Sequence, residues 1–238
     1  MRIDSYLFTD IGGRSENQDA VGKLDGDSAG LYVVADGLGG HQQGRLSSDC
    51  IVSTLIGGAD LSGPCEPDVL VALIQQANEE ILRIQQEKNV ITKSTVVALA
   101  LNGQSASWAN TGDSRLYYLH DSEIRQITVD HSVAYKKYKS GEITKEEIAR
   151  DEDQSSLLRT LGGETRWEPD SGKLETLSPG DGFLLCSDGV WEYLLDEEIL
   201  VDYLKADSAR EWGTFLLLRI AERIPRDNDN FSLITVLI

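Results

Sequence analysis

The sequence predicts an α+β fold: a four-layer α-β-β-α sandwich, two antiparallel sheets flanked by helix pairs, with a flap subdomain inserted. Three observations carry that prediction. Strand-like segments at 94–101, 104–110, 115–119 and 124–128 are joined by very short turns, and a parallel crossover needs about a dozen residues or more, so these strands run antiparallel. Several segments are apolar on both faces, as in "STVVALAL", which calls for a second sheet on one side and helices on the other. Two helical patterns precede this meander and two follow it.

Taken in order, the chain opens with two strands, the second being "LYVVA" (31–35), an apolar run that Asp36-Gly37 stops as a turn. A first helix begins near Gly44 and continues to about Leu55. The strongest helical pattern runs from Glu66 to Lys88, where Leu70, Leu73, Ile74, Ala77, Ile81 and Ile84 recur at three- and four-residue steps. Asn102-Gly103 is a type I′ hairpin signal between 94–101 and 104–110. Residues 132–165 are polar and helix-prone, interrupt the strand series, and carry Lys136, Lys137, Lys139 and Lys145, expected as a solvated face. A strand at 182–187, helices at 196–206 and 208–223 and a last strand at 231–238 complete the series. With no internal repeat, low-complexity tract or Pro-rich linker, residues 1–238 are expected to form one domain, with 132–165 as its flap.

Composition narrows the partners. The 238 residues carry a formal charge of −18, which argues against nucleic acid or an anionic membrane. The longest apolar runs, "FLLLRI" (215–220) and "LITVLI" (233–238), fall far short of the roughly 18 residues that cross a bilayer. "MRIDSYLFTD" lacks the apolar core of a signal peptide, so a cytoplasmic location is expected. Cys50, Cys65 and Cys186 lack metal-ligand spacing and read as reduced structural thiols. The positions six residues after them hold Ile56, Val71 and Glu192, where a thiolate-based phosphate-binding loop would need arginine.

The acids are more informative by place than by number. In "VVADG" (Asp36), "WANTGDSR" (Asp113), "FLLCSDG" (Asp188) and "IPRDNDNFSLITV" (Asp229), an apolar strand delivers an aspartate into a glycine- or asparagine-containing turn, and Asp19 lies in "GGRSENQDA". One such Asp-Gly is an ordinary turn. Several together suit magnesium or manganese, which take oxygen ligands near octahedral geometry and keep several waters. No stretch has the alternating acids of an EF-hand, and three histidines (His41, His120, His131) make a poor zinc site.

"GGRSENQDA", "VVADGLGG", "NTGDSR", "DHS", "LLRTLGG", "CSDGVW" and "DNDNFSLITV" occur in the order found in metal-dependent protein serine/threonine phosphatases of type 2C. The chain resembles that family from about residue 4 to 238 and looks like a minimal, stand-alone bacterial-type member. The family fold, a β-sandwich between helix pairs, agrees with the layout above. The resemblance implies that Asp36, the Gly37 carbonyl, Asp188 and Asp229 hold two Mn2+ or Mg2+ ions, with Asp19 as a further ligand reached directly or through water. It implies that Asp113 helps Asp188 hold a third, weaker ion, and that Arg14 grips the substrate phosphate. Asp36, Asp188 and Arg14 are thus the expected catalytic residues, with a metal-bridged hydroxide attacking phosphorus in line. The implied partners are phosphorylated proteins of a cognate Ser/Thr kinase, met by a monomer.

Some positions depart from the family pattern. The histidine that follows Asp-Gly in some members, assigned as general acid, is Leu38 here, and Gln18 stands where some have Glu. His41 matches no family catalytic position, and His131 is expected to make a structural hydrogen bond near the flap. Of the duplicated Asp227-Asn228 and Asp229-Asn230, the apolar continuation selects Asp229. Two other readings stay open: a phosphatase of small phosphorylated metabolites, and a non-catalytic regulator of the same fold.

Overall fold

Strand residues that are apolar on both faces need cover on both, and the structure supplies it. The computed structural model describes residues 2–39, 43–63, 65–163 and 167–238. One antiparallel sheet takes the order β1 (Asp4–Asp10), β11 (Phe231–Leu237), β10 (Gly182–Cys186), β7 (Arg115–His120), β8 (Glu123–Gln126). The other takes the order β2 (Asp19–Asp25), β3 (Ala29–Leu38), β5 (Val96–Asn102), β6 (Ser105–Thr111), β9 (Asp170–Leu174), with β4 (Lys93–Ser94) beside β3.

The period of two along β3 divides its side chains between two cores. Tyr32 and Val34 meet Leu116, Phe183, Leu185, Ile234 and Val236 between the sheets. Leu31, Val33 and Ala35 face outward under α1 (Gly44–Gly58) and α2 (Pro67–Lys88), packing on Ile51, Leu55, Ile74 and Ile81. On the opposite side Leu184, Cys186 and Leu233 pack on Ile199, Trp212, Leu216 and Ile220 of α5 (Asp196–Lys205) and α6 (Ala209–Arg223). Four layers result, as expected. Each such fully buried Leu or Ile contributes roughly 1.5–3 kcal/mol relative to exposure.

The termini of α2 follow from local chemistry. Pro67 occupies its first turn with Asp68, Lys88 lies in its last, and Asn89, at φ 52°, closes it by donating its N–H to the Gln85 carbonyl.

Three features differ from the sequence expectations. Asp36-Gly37 is not a turn: β3 runs on to Leu38, with Gly37 opposite Ser94 and Leu38 opposite Lys93. Three strands, not two, precede α1, and the polar stretch "DSGKL" forms β9 at the sheet edge. A one-turn helix, α4 (Asp188–Trp191), follows β10 directly.

Within the flap, α3 (Val133–Ser140) is capped by the Ser132 hydroxyl, which accepts from the Tyr135 N–H. Lys136 and Lys139 are exposed as expected, whereas Lys137 pairs with Asp151 and Asp153, and Lys145 pairs with Asp196 of α5. Residues 164 and 165 of the expected flap, and His41, lie outside the described residues.

Candidate metal centre

Both sheets bring their acids to one end of the sandwich. Asp19 opens β2 and Asp36 lies late in β3, and the register makes them direct cross-strand partners. Asp188 begins α4 immediately beyond β10, Asp229 lies just ahead of β11, and Asp113 sits in the turn between β6 and β7. Arg14, Gln18, Asp36, Gly37, Leu38, Asp188, Asp229 and Asn230 line a common cleft of about 720 Å³, which the flap residue Ser155 also borders. A larger groove of about 1210 Å³ between α1 and α2 contains none of these acids, so size does not mark the site.

Like charges directly opposite on neighbouring strands are unfavourable, and the surroundings intensify this. Burial pushes the Asp19 carboxyl up to about 7, although the Ser187 hydroxyl donates to its Oδ2 at 2.8 Å. Burial, then Asp188 and Asp19, raise Asp36 well above the usual carboxylate range. Burial and the neighbouring Asp229 lift Asp188 to about 6. Asp113, 3% exposed, is raised by burial and by Asp188. Negative charge is concentrated here and asks for a cation.

Arg14 supplies part of it. Its Nε donates to Asp229 Oδ1 at 3.1 Å and its Nη2 to Oδ2 at 2.8 Å, a two-pronged pair at the exposed mouth of the cleft. Both Asp229 oxygens thus accept from Arg14, and Oδ1 accepts from the Asn230 N–H as well. Among the described residues, no three His, Cys, Asp or Glu side chains stand close enough to enclose an ion by themselves. The donor chemistry nevertheless fits a hard divalent cation. All the side-chain donors are carboxylates, and no other described residue donates a hydrogen bond to the Asp36 or Asp113 carboxylates. The backbone at Gly37 packs so tightly that a Cβ there would lie 2.2 Å from the Gly44 carbonyl oxygen. Such a site suits an ion that keeps several waters.

Supporting residues escaped the sequence reading. Asn230 accepts from the Gln18 N–H and donates to the carbonyls of Ile11 and Glu16, so it holds the loop that carries Arg14. The Thr95 hydroxyl accepts from the Asp36 N–H and bonds Ser114, tying two acid-bearing segments together. From the flap, Gln154 Nε2 reaches Asp188 Oδ2 at 3.5 Å. Glu192, one turn beyond Asp188, is pushed up to about 8 by burial and by Asp188. The repeated Asp-Asn pair was the one available sequence signal for Asn230. Of that repeat, Asp229 lines the cleft and Asp227 is exposed outside it. His131 Nδ1 accepts from the Gly112 N–H, and its Nε2 faces Asp170. Leu38 borders the cleft, at the position where the family resemblance raised the question of a histidine.

The same fold is found in solved bacterial phosphatases. The Mycobacterium tuberculosis serine/threonine phosphatase PstP/Ppp matches with a TM-score of 0.87 at 28% identity, over 100% of this chain and 99% of that one. The catalytic domain of PstP in complex with two manganese ions matches with a TM-score of 0.85 at 27% identity, over 99% and 97% of the two chains. The serine/threonine phosphatase stp of Listeria monocytogenes is 34% identical over 194 residues, 78% of this chain and 77% of that one. The protein phosphatase 2C profile matches residues 11–216. The chain belongs to the protein phosphatase 2C family.

Proposed function

We propose that the protein hydrolyses phosphoserine and phosphothreonine in other proteins at this cleft. The observation that carries the reading is the meeting of Asp19, Asp36, Asp188 and Asp229 from two sheets beside a guanidinium, Arg14. Asp36, the Gly37 carbonyl, Asp188 and Asp229 would hold two Mn2+ or Mg2+ ions, with Asp19 behind them and Asp113 joining Asp188 at a weaker third. The chemistry that metal held there would supply is an acidified water as nucleophile and positive charge to offset that developing on the phosphoryl oxygens. Arg14, exposed at the mouth, turns its planar fork from Asp229 to two phosphate oxygens. Ser155 of the flap borders the same space and Gln154 reaches Asp188 beside it, so both would meet the peptide that carries the phosphate. With Leu38 in place of a histidine, the leaving seryl or threonyl oxygen takes its proton from water or from another side chain.

On this reading residues 1–238 work as one domain with 132–165 as flap, as a cytoplasmic monomer opposing a Ser/Thr kinase. No described helix is long and apolar enough to cross a membrane. A phosphothreonine peptide incubated with the protein should release phosphate with Mn2+ and not with chelator, and Asp188→Asn should lose that release. Turnover of small phosphorylated metabolites with none of phosphoproteins contradicts the assigned substrate. Full activity of Asp188→Asn contradicts the assigned site.

A further inference from the structure

The geometry points to Trp191 and Arg115 as positioning residues for Asp113, together setting its carboxylate at a fixed distance from Asp188 for the third, weaker ion. The inference rests on the reading of Asp113 as a metal ligand given above.

Asp113 is 3% exposed and no other described residue donates to its carboxylate, so its backbone must hold it in place. That backbone is gripped from two sides. The Trp191 indole Nε1–H donates to the Asp113 carbonyl at 3.0 Å. One residue earlier, the Gly112 N–H donates to His131 Nδ1 at 3.1 Å, and the Gly112 carbonyl accepts from the His131 N–H at 2.9 Å. Gly112 has φ +101°, and a Cβ there would lie 2.6 Å from Thr95, so only glycine makes this turn.

Trp191 is the last residue of α4 and Asp188 is its first. One rigid helical turn thus carries one acid and hydrogen-bonds the backbone of the other. The indole is itself braced. The Arg115 guanidinium carbon lies 3.5 Å from the ring centroid. Arg115 in turn forks Asp130, with Nε at 3.1 Å and Nη2 at 2.6 Å, and its Nη1 donates to the Tyr117 hydroxyl at 3.1 Å. Replacing a buried ion pair with apolar residues is often neutral or stabilising, so stability alone is a weak reason for this one. Holding a tryptophan ring in one orientation is a task that a planar, hydrogen-bonded guanidinium performs and an aliphatic side chain does not. Supporting partners of this kind typically alter metal affinity by about 10–100-fold.

The test is Mn2+ binding, followed by the electron paramagnetic resonance of the free ion, in the native protein and in Asp113→Asn, Trp191→Phe and Arg115→Lys. Trp191→Phe keeps an aromatic ring, smaller than the indole, and loses the donor. It should retain the two tighter ions and weaken the third about tenfold. Arg115→Lys should shift the same site in the same direction, and excess Mn2+ should restore phosphopeptide turnover in both. If Asp113→Asn loses the third ion while Trp191→Phe and Arg115→Lys hold it as the native protein does, the positioning role is wrong and the ligand role stands. Unchanged binding in Asp113→Asn overturns the ligand role beneath it. Equal weakening at every site makes Trp191 merely structural and also overturns the inference. Should neither variant fold, the assigned indole N–H resonance of Trp191 in the native protein decides: it should move with filling of the weakest Mg2+ site, and a resonance blind to that step refutes the role.

Discussion

Arg14 and Asp229 share a two-pronged ion pair whose side chains are 54% and 47% exposed. Solvent screens a pair this open, and exposed pairs contribute about 0.2–1 kcal/mol. Its value to the fold is therefore small, and on the proposed reading its value to substrate lies in the fork. Arg14→Ala should leave the melting temperature nearly unchanged while raising KM for a phosphothreonine peptide by about tenfold or more, the loss of a charged hydrogen-bonding partner. Arg14→Lys should recover only part of that, because an ammonium cannot bind two oxygens in one plane. Steady-state kinetics beside thermal unfolding checks both. A large drop in melting temperature with unaltered KM would assign the residue to the scaffold.

β3 and α1 show how the elements fix the backbone beside Asp36. Gly37 lies opposite Ser94 in the sheet and against Gly44 at the start of α1. Gly37→Ala would force a Cβ to within 2.2 Å of the Gly44 carbonyl oxygen unless strand or helix shifted. Overpacking of this kind costs about 1–3 kcal/mol, and denaturant unfolding should show it together with weakened Mn2+ binding. Unaltered stability and metal affinity would mean that the backbone there is free to move. The helices were legible in the sequence because their apolar spacing is local: Leu70, Ile74, Ala77 and Ile81 are the buried apolar residues of α2. Asp36-Gly37 was misread as a turn because the partner that extends β3, Lys93-Ser94, lies far along the chain, and local propensity does not see it. β9 was missed because it is a polar, half-exposed edge strand whose glycine, Gly172, makes room for the Trp108 ring. The acids themselves were visible through the strand-then-aspartate pattern. The residues that hold them, Asn230, Thr95 and Trp191, act through contacts between distant segments and left little local trace.

At the scale of the whole molecule, a net charge of −18 meets one end of the sandwich, where five carboxylates, those of Asp19, Asp36, Asp113, Asp188 and Glu192, resist ionisation. An unfolded aspartate ionises near pH 3.9, roughly, whereas the folded chain keeps its proton to about 6 at Asp188 and about 7 at Asp19. Between those limits the folded state binds more protons than the unfolded one, so stability falls as pH rises. Glu198, lowered to about 2 by Arg223, acts the other way, losing its contribution only as pH falls below its unfolded value, outside this window. His120, raised by Asp181, also loses stability with rising pH, whereas His131, lowered by burial, gains it, and neither is one of these carboxylates. In chelator the melting temperature should therefore fall from pH 5 to pH 8, and saturating Mn2+ should remove the part due to the cleft. Equal slopes with and without Mn2+ would mean that the carboxylates do not share an ion.

The most direct test of the metal centre is the anomalous scattering of manganese in crystals of the protein grown with Mn2+ and shown to hydrolyse a phosphothreonine peptide. The predicted result is two peaks about 3.5–4 Å apart, both touching Asp36, with the Gly37 carbonyl, Asp188 and Asp229 completing them and Arg14 released from Asp229. An active crystal with no manganese among these residues would contradict the account.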